Sequence, residues 1–160
     1  MLVFGVSVAV YAQMEAADRE VAGKDAPPPP VWPAARLPKD IPVKPYPRVK
    51  PDIVIAFETD SLQTLPSEIR KLNQFGEILR MFPDFRIYIT GHSALLGSPE
   101  GRMVSALGRA QVVADYLIDN GYVMPGRIDI GSFGAQYPAA NNDTWINRRK
   151  NRRVEIFFLN

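Results

Sequence analysis

Three parts of the sequence combine polar side chains with positions where they could bind a ligand. They are the run Gly91-His92-Ser93, the side chain of Arg109 and the stretch 141–153. An apolar strand is predicted just before Gly91, and α/β sheets bind ligands at the carboxyl ends of parallel strands. We therefore expect this run to lie at a ligand-binding edge of the domain, where the other two parts could converge on it.

A catalytic or metal-binding role for His92 and Ser93 is disfavoured by the residues around them. Adjacent strand residues point to opposite faces, and no G-x-S-x-G elbow surrounds Ser93. The sequence has one histidine and no cysteine, and no carboxylate cluster lies nearby to complete a metal site. We expect no catalysis, no metal and no cofactor, and we expect His92 to hydrogen-bond backbone groups and order the loop 94–98.

A polar stripe is predicted on the helix that follows this loop. Arg102, Ser105 and Arg109 are spaced i, i+3 and i+7, opposite the face that holds Leu107. Most exposed charges are ordinary surface, so the simpler interpretation is a solvated face. The alternative is that Arg109 faces a ligand.

The densest basic run of the chain is at 148–153. The net charge is only +2, and there is no second basic face or aromatic stacking strip, so we expect no nucleic-acid partner. Guanidinium groups also bind carboxylates through two hydrogen bonds, which suits a peptide with free carboxylates. Some of these arginines are expected instead to pair with Asp143 or Glu155 and brace the last strand.

The elements that position these groups follow from the spacing of apolar residues. The predicted elements are a strand at 53–57 that is buried on both faces, a helix over 66–82, a strand at 85–90, a helix over 99–119 that Asn120-Gly121 stops, a strand near 128–130, a short helix near Trp145 and a strand at 154–159. Helix crossovers imply parallel strand pairs. The order β-α-β-α-β-loop-β therefore predicts an α/β domain, an α+β sandwich with its helices packed on one mixed sheet.

The chain divides near residue 51, because ten of its 15 prolines fall between Pro27 and Pro51. Residues 1–12 are apolar and end in small residues, which predicts a signal peptide cleaved before Gln13. Residues 13–51 are predicted to be a Pro-rich linker, and 52–160 the globular domain. The linker could span a compartment, lie along the domain surface or bind an aromatic groove.

Three ordered motifs resemble the OmpA C-terminal-domain family, which includes peptidoglycan-associated lipoproteins and the flagellar stator protein MotB. Gly91-His92-Ser93 is similar to the family's G-H-T-D turn. Gly97-Ser98, Ser105 and Arg109-Ala110 are similar to its G-S…L-S-x-x-R-A helix. Asn142, Thr144, Arg148 and the run 151–156 are similar to its N-x-T-x-x-G-R-x-x-N-R-R-V-E-I ending. The resemblance covers roughly Ile53 to Leu159.

The resemblance implies a periplasmic, outer-membrane-associated protein that binds the peptidoglycan stem peptide without catalysis. In the family, a turn carboxylate holds the ammonium of the stem peptide's diamino acid, and the helix arginine holds its carboxylate. The implied ligand-binding residues here are Gly91, His92, Ser93, Ala94, Arg109, Arg148, Asn151 and Arg152. Arg109 and Arg152 would take carboxylates, and backbone N–H groups of 91–94 would complete the site.

This sequence departs from the family at the turn, because Ala94 occupies the aspartate position, and at the ending, where Asn147 occupies a glycine position. Losing the turn carboxylate removes a charge-assisted hydrogen bond worth about 1.5–3 kcal/mol. Either the pocket is retuned to a different stem-peptide residue, or the domain has become an interaction module for outer-membrane or periplasmic proteins.

Overall fold

The computed structural model describes residues 44–58 and 66–159. The predicted signal peptide at 1–12 and most of the predicted linker lie outside the described residues. The elements are β1 (Ile53–Ala56), α1 (Pro66–Met81), β2 (Arg86–His92), α2 (Pro99–Asp119), a 3₁₀ turn (Pro125–Arg127), β3 (Ile128–Ser132), α3 (Trp145–Asn151) and β4 (Arg153–Leu159). This order confirms the predicted β-α-β-α-β-loop-β arrangement, including the short helix near Trp145.

The four strands form one mixed sheet in the order β1-β4-β2-β3. β4 is antiparallel to both β1 and β2, whereas β2 and β3 are parallel. The parallel pair is joined by α2, as a helix crossover requires. The predicted fold class, with helices packed on a single mixed sheet, is confirmed.

The two faces of the sheet bury different kinds of side chain. The face under the helices is apolar: Ile87 and Ile89 of β2 and Val154 and Ile156 of β4 pack against both long helices. Because successive strand residues point to opposite faces, their neighbours form the other face. That face carries the aromatic rings of Tyr88 and Phe157, which pack with Phe133 of the loop after β3, and polar groups such as Glu155.

β1 does not have the predicted burial on both faces. Ile55 and Phe57 are buried, but Val54 is 40% exposed. Among the strands of residues 44–58 and 66–159, β1 lies at the edge of the sheet, beside β4. The apolar run predicted burial on both faces, and the difference arises because β4, which comes much later in the chain, lies between β1 and β2.

Helix α2 begins and ends where its sequence predicts. The Ser98 hydroxyl accepts a hydrogen bond from the Gly101 N–H at 3.1 Å, and Pro99 begins the first turn, which is the arrangement of an N-cap. At the other end, Asn120 is the C-cap and Gly121 has a φ of +67°, a conformation that glycine adopts without strain.

Residues 44–47, which lie within the Pro-rich segment 13–51, pack against the face of the sheet that the helices leave uncovered. Tyr46 packs with the aromatic cluster there, and Lys44 pairs with Asp129 of β3 at 2.6 Å. This part of the segment therefore lies along the domain surface, one of the three possibilities that its composition allowed. Within the described residues, we find no helix with the length and apolarity needed to cross a bilayer.

Candidate functional site

β2 extends to His92, so Gly91 and His92 are the last two residues of the strand and not, as the sequence predicted, the start of a turn after it. The chain leaves the sheet at Ser93, and we call residues 91–94 the turn. The Gly91 carbonyl accepts a hydrogen bond from the Phe133 N–H at 3.0 Å, and the Ser93 N–H donates to the Gly134 carbonyl at 2.8 Å. A methyl group on Gly91 would overlap the carbonyl oxygen of Ala106. Glycine therefore allows the backbone of α2 to lie directly against the turn.

Arg109 is buried beside this turn, so the interpretation of its stripe as a solvated face is wrong. Arg109 is 2% exposed and Ser105 is fully buried. The Arg109 NH1 donates to the His92 carbonyl at 3.2 Å, and its guanidinium carbon lies 6.0 Å from the centre of the Phe57 ring. The close approach at Gly91 draws this side of α2 into the domain, which spacing on the helix alone could not reveal.

Arg102 has a different role from the other two stripe residues. It is partly exposed, and its NH1 donates to the Gly97 carbonyl at 2.6 Å. Arg102 therefore helps to hold the loop that leads into α2.

The His92 side chain contacts other side chains rather than backbone groups, which corrects the prediction that it orders the loop 94–98. Its Nε2 lies 3.1 Å from the Thr90 hydroxyl and 3.5 Å from Oε2 of Glu155. Glu155 also accepts a hydrogen bond from Tyr46 at 2.6 Å and one from Arg153 at 2.7 Å. The predicted pairing of Glu155 with an arginine of the basic run is confirmed.

The charges in this cluster are fixed by burial and hydrogen bonding. Burial lowers the pKa of His92 below its ordinary value of 6.5. Burial alone would raise the pKa of Glu155, but hydrogen bonds from His92 and Tyr46 and the charge of Arg153 lower it to about 2. At neutral pH the cluster therefore holds a neutral imidazole and a carboxylate that is paired with a guanidinium.

The amide of Asn151 fixes the loop before α3. Its oxygen accepts hydrogen bonds from the N–H groups of Ala139 and Ala140, and its nitrogen donates to the Ala140 carbonyl and to Oδ1 of Asn142. The same Oδ1 of Asn142 accepts from the Leu95 N–H at 2.8 Å. Asn151 is fully buried. Through Asn142, its hydrogen bonds connect the loop before α3 to the backbone at Leu95.

Arg148 and Arg152, the other two arginines predicted to bind the ligand, each take part in a hydrogen bond to a backbone carbonyl. Arg148 is partly exposed and donates to the Asn142 carbonyl at 2.9 Å. Arg152 is 2% exposed, and its carbonyl accepts from the Phe57 N–H at 3.0 Å. Since the Phe57 ring also lies near Arg109, Phe57 is a neighbour of both buried arginines. Asp143 accepts from Asn141 and Asn147, so of the two acids predicted as partners of these arginines, Glu155 is the one that pairs among the described residues.

Ala94 is buried at the end of the turn, with 4% of its surface exposed, whereas Leu95 beside it is 54% exposed. The edge of the turn is therefore apolar at the position where the family has a carboxylate. No group of three potential metal ligands occurs in residues 44–58 or 66–159.

Two residues that contribute to this region had no predicted role in it. In the sequence, Asn142 is only one position of the last motif. Its hydrogen bond from the Leu95 N–H depends on the conformation of the loop, which the sequence pattern does not give. Tyr46 had no predicted role at all. The one signal for it in the sequence is an aromatic residue between two prolines, Pro45 and Pro47.

Residues 56–152 match the OmpA family. The chain belongs to this family. Over 102 residues it is 37% identical to the peptidoglycan-binding protein ArfA of Mycobacterium tuberculosis, a match that covers 64% of this chain and 31% of ArfA. It is also 31% identical, over 100 residues, to the peptidoglycan-associated lipoprotein of Pseudomonas aeruginosa, covering 62% of this chain and 58% of the lipoprotein. The chain thus matches about a third of the length of ArfA.

Solved structures have the same fold. The C-terminal domain of Helicobacter pylori MotB aligns with a TM-score of 0.61 and 29% identity, covering 68% of this chain and 84% of that domain. The peptidoglycan-associated lipoprotein of Burkholderia pseudomallei aligns with a TM-score of 0.63, covering 66% and 89% of the two chains. At 24% identity, the second alignment is a likeness of fold alone.

Proposed function

We propose that this domain binds the peptidoglycan stem peptide non-covalently and tethers an exported, outer-membrane-associated protein in the periplasm to the cell wall. The observation that carries the proposal is the buried guanidinium of Arg109 on the His92 carbonyl. It lies in a domain of the OmpA family that is 37% identical to a peptidoglycan-binding protein.

The chemistry of the site favours an anionic ligand. Arg109 and Arg152 are both buried, and a guanidinium group can hold a carboxylate through two parallel hydrogen bonds. The hydroxyls of Ser93 and Ser105 are buried and have no hydrogen-bond partner among the described residues, so each could donate to a carboxylate oxygen. A stem peptide offers free carboxylates of this kind.

The turn itself offers fewer backbone donors than its sequence suggests. The Ser93 N–H is already bonded to the Gly134 carbonyl. We therefore assign the backbone contact with the ligand to the N–H of Ala94. Binding of this type needs no bond-breaking group, and the domain acts as a binding protein rather than an enzyme.

Co-sedimentation with purified peptidoglycan of several wall chemotypes tests the proposal. The full chain should pellet with at least one chemotype, and free stem peptide should release it. Arg109→Lys keeps the charge but loses the planar guanidinium, so it should weaken retention about tenfold, the effect of losing about 1.4 kcal/mol. Arg70→Lys is the matched control, because Arg70 is exposed on α1, and it should bind like the native chain. Thermal unfolding of both variants checks that each is folded.

The outcomes separate clearly. Retention that is equal in the native chain and a folded Arg109→Lys variant contradicts the assigned site. Retention that free stem peptide does not displace contradicts stem-peptide recognition.

Ala94 favours a second candidate function, a periplasmic interaction scaffold that no longer binds peptidoglycan. A buried methyl group at this position cannot hold an ammonium, and the exposed Leu95 beside it suits an apolar partner. If the native chain stays in solution with every wall and only Ala94→Asp pellets, the scaffold function is supported and the wall-binding proposal fails.

A further inference from the structure

Part of the Pro-rich segment is attached to the domain by specific contacts at several strands. We call residues 44–47 the strap. The Lys44 ammonium pairs with Asp129 of β3 at 2.6 Å, and the Lys44 carbonyl accepts a hydrogen bond from the Tyr88 hydroxyl of β2 at 3.1 Å. Tyr46 reaches Glu155 of β4. The strap therefore contacts three of the four strands.

Tyr46 is the centre of these contacts. Its hydroxyl donates to Oε2 of Glu155 at 2.6 Å, an oxygen that also lies 3.5 Å from His92 Nε2. Its ring is stacked on Tyr137, with 4.2 Å between the ring centres, and meets the rings of Phe133 and His92 edge-on at 5.3 and 5.6 Å. Such geometry is typical of stabilising aromatic pairs.

Two of these contacts lead directly to Gly91 and His92 at the end of β2. Phe133 touches Tyr46 with its ring, and its backbone N–H is bonded to the Gly91 carbonyl. His92 touches Tyr46 with its ring, and its backbone carbonyl is bonded to Arg109. The strap and the proposed site thus share His92, with the strap on its side chain and Arg109 on its backbone.

We propose that Tyr46 is a positioning residue for the turn at Gly91–Ala94, so that docking of the strap sets the affinity of the proposed wall-binding site. The inference rests on the proposed function for its ligand, but the coupling between the strap and the turn is independent of any ligand. Because coupling is reciprocal, a ligand at the turn also favours the docked strap.

Hydrogen exchange of the full chain tests the coupling without a ligand. In Tyr46→Ala, the Ser93 amide should exchange at least tenfold faster, because its bond to Gly134 loses the support of the Phe133 and His92 rings. The Ile89 amide in the middle of β2 should exchange at its native rate. In Tyr46→Phe, which retains the ring, the Ser93 amide should exchange at an intermediate rate.

Sacculus binding tests the effect on affinity. Tyr46→Ala should lower retention about fivefold, and Tyr46→Phe should restore most of it. Tyr116→Phe is the matched control: Tyr116 also donates a 2.6 Å hydrogen bond, to Asn73, but it lies on α2 away from the strap, and this variant should show native exchange at Ser93 and native retention.

Each result decides the inference. Unchanged Ser93 exchange in Tyr46→Ala overturns it, and so does acceleration of the Ser93 and Ile89 amides by the same factor, which is the mark of general destabilisation. Faster Ser93 exchange with unchanged retention overturns the link to affinity. If the native chain binds no wall, the proposed function fails, while the exchange rates still decide whether Tyr46 positions the turn.

Discussion

Glu155 and Ile156 are neighbours on β4, yet they lie in opposite environments. Ile156 is fully buried in the apolar core under the helices. Glu155 is almost as buried, but its carboxylate is surrounded by Tyr46, His92 and Arg153. One face of the sheet is thus stabilised because apolar surface is removed from water. The other face is stabilised by a buried carboxylate, which needs hydrogen bonds from all of its partners to remain charged.

This difference separates general stability from the proposed function. The residues of the apolar face form one core cluster with residues of α1 and α2. The polar face joins the strap to His92, whose carbonyl meets Arg109. Changes on the apolar face should therefore affect the whole domain, whereas changes on the polar face should affect the turn and respond to pH.

The largest expected effect is on the apolar face. Ile156→Ala leaves a cavity beside residues that are themselves fully buried, and it should lower the free energy of unfolding by about 4 kcal/mol. The loss should be the same at pH 7 and pH 4, because no titrating group is involved. Urea unfolding at both pH values measures it, and a loss that varies with pH would contradict the apolar character of this face.

Replacing Glu155 with Gln tests the polar face. The folded pKa of Glu155, about 2, lies below its ordinary value of 4.5. Its contribution to stability is therefore complete above pH 4.5 and is lost as the pH falls toward 2. Glu155→Gln should cost about 3 kcal/mol at pH 7, because Arg153 loses its buried partner, and the cost should shrink below pH 4.5.

The control for this measurement is the adjacent residue in the chain. The loss in free energy of unfolding is measured for Ile156→Ala over the same pH series. Only the loss caused by Glu155→Gln should shrink as the pH falls. A Glu155→Gln cost that stays constant down to pH 3 would mean that the carboxylate does not stabilise the polar face.

His92 allows a smaller effect to be observed directly, because it is the one histidine in the chain. Its lowered pKa means that the folded state favours the neutral ring, so this contribution to stability is complete above pH 6.5 and decreases as the pH falls below that value. The imidazole resonances in an NMR titration should have their midpoint below 6.5. A midpoint at or above 6.5 would contradict the burial of this ring.

The smallest effect concerns the phenols of the polar face. Burial, then the hydrogen bond and charge of Glu155, raise the pKa of Tyr46 from 10.0 to about 12, and burial and the charge of Asp129 raise the pKa of Tyr88 to about 12. Both should ionise late in an ultraviolet titration of the folded chain, and Tyr46→Phe should remove one of the late transitions. Their contribution to stability is complete below pH 10 and is lost as the pH rises from 10 through about 12.

The order of helices and strands could be predicted from the sequence, because each element is specified by residues that are close together in the chain. The alternation in β4, the cap at Ser98 and the stop at Gly121 all depend on residues close together in the chain. The edge position of β1 could not be predicted, because it depends on the long-range pairing of β4, which lies between β1 and β2.

The candidate site could be predicted only in part, for the same reason. Local patterns place the Gly91 run near the end of β2, but the burial of Arg109 depends on the close approach of the Gly91 and Ala106 backbones. The bond from Tyr46 to Glu155 joins residues that are 109 positions apart. Neither contact leaves a periodic signal in the sequence.

The strap also determines how the domain responds to mechanical force on the chain before Lys44. Lys44 makes two of its contacts, with Asp129 and Tyr88, and Tyr46 makes the third, with Glu155. A pull from that side loads the contacts of Lys44 before that of Tyr46, so the strap should peel off in two steps at low force, whereas the paired backbone of β1 and β4 stays intact. The segment would then act as a short extensible spring that absorbs strain before the fold itself opens.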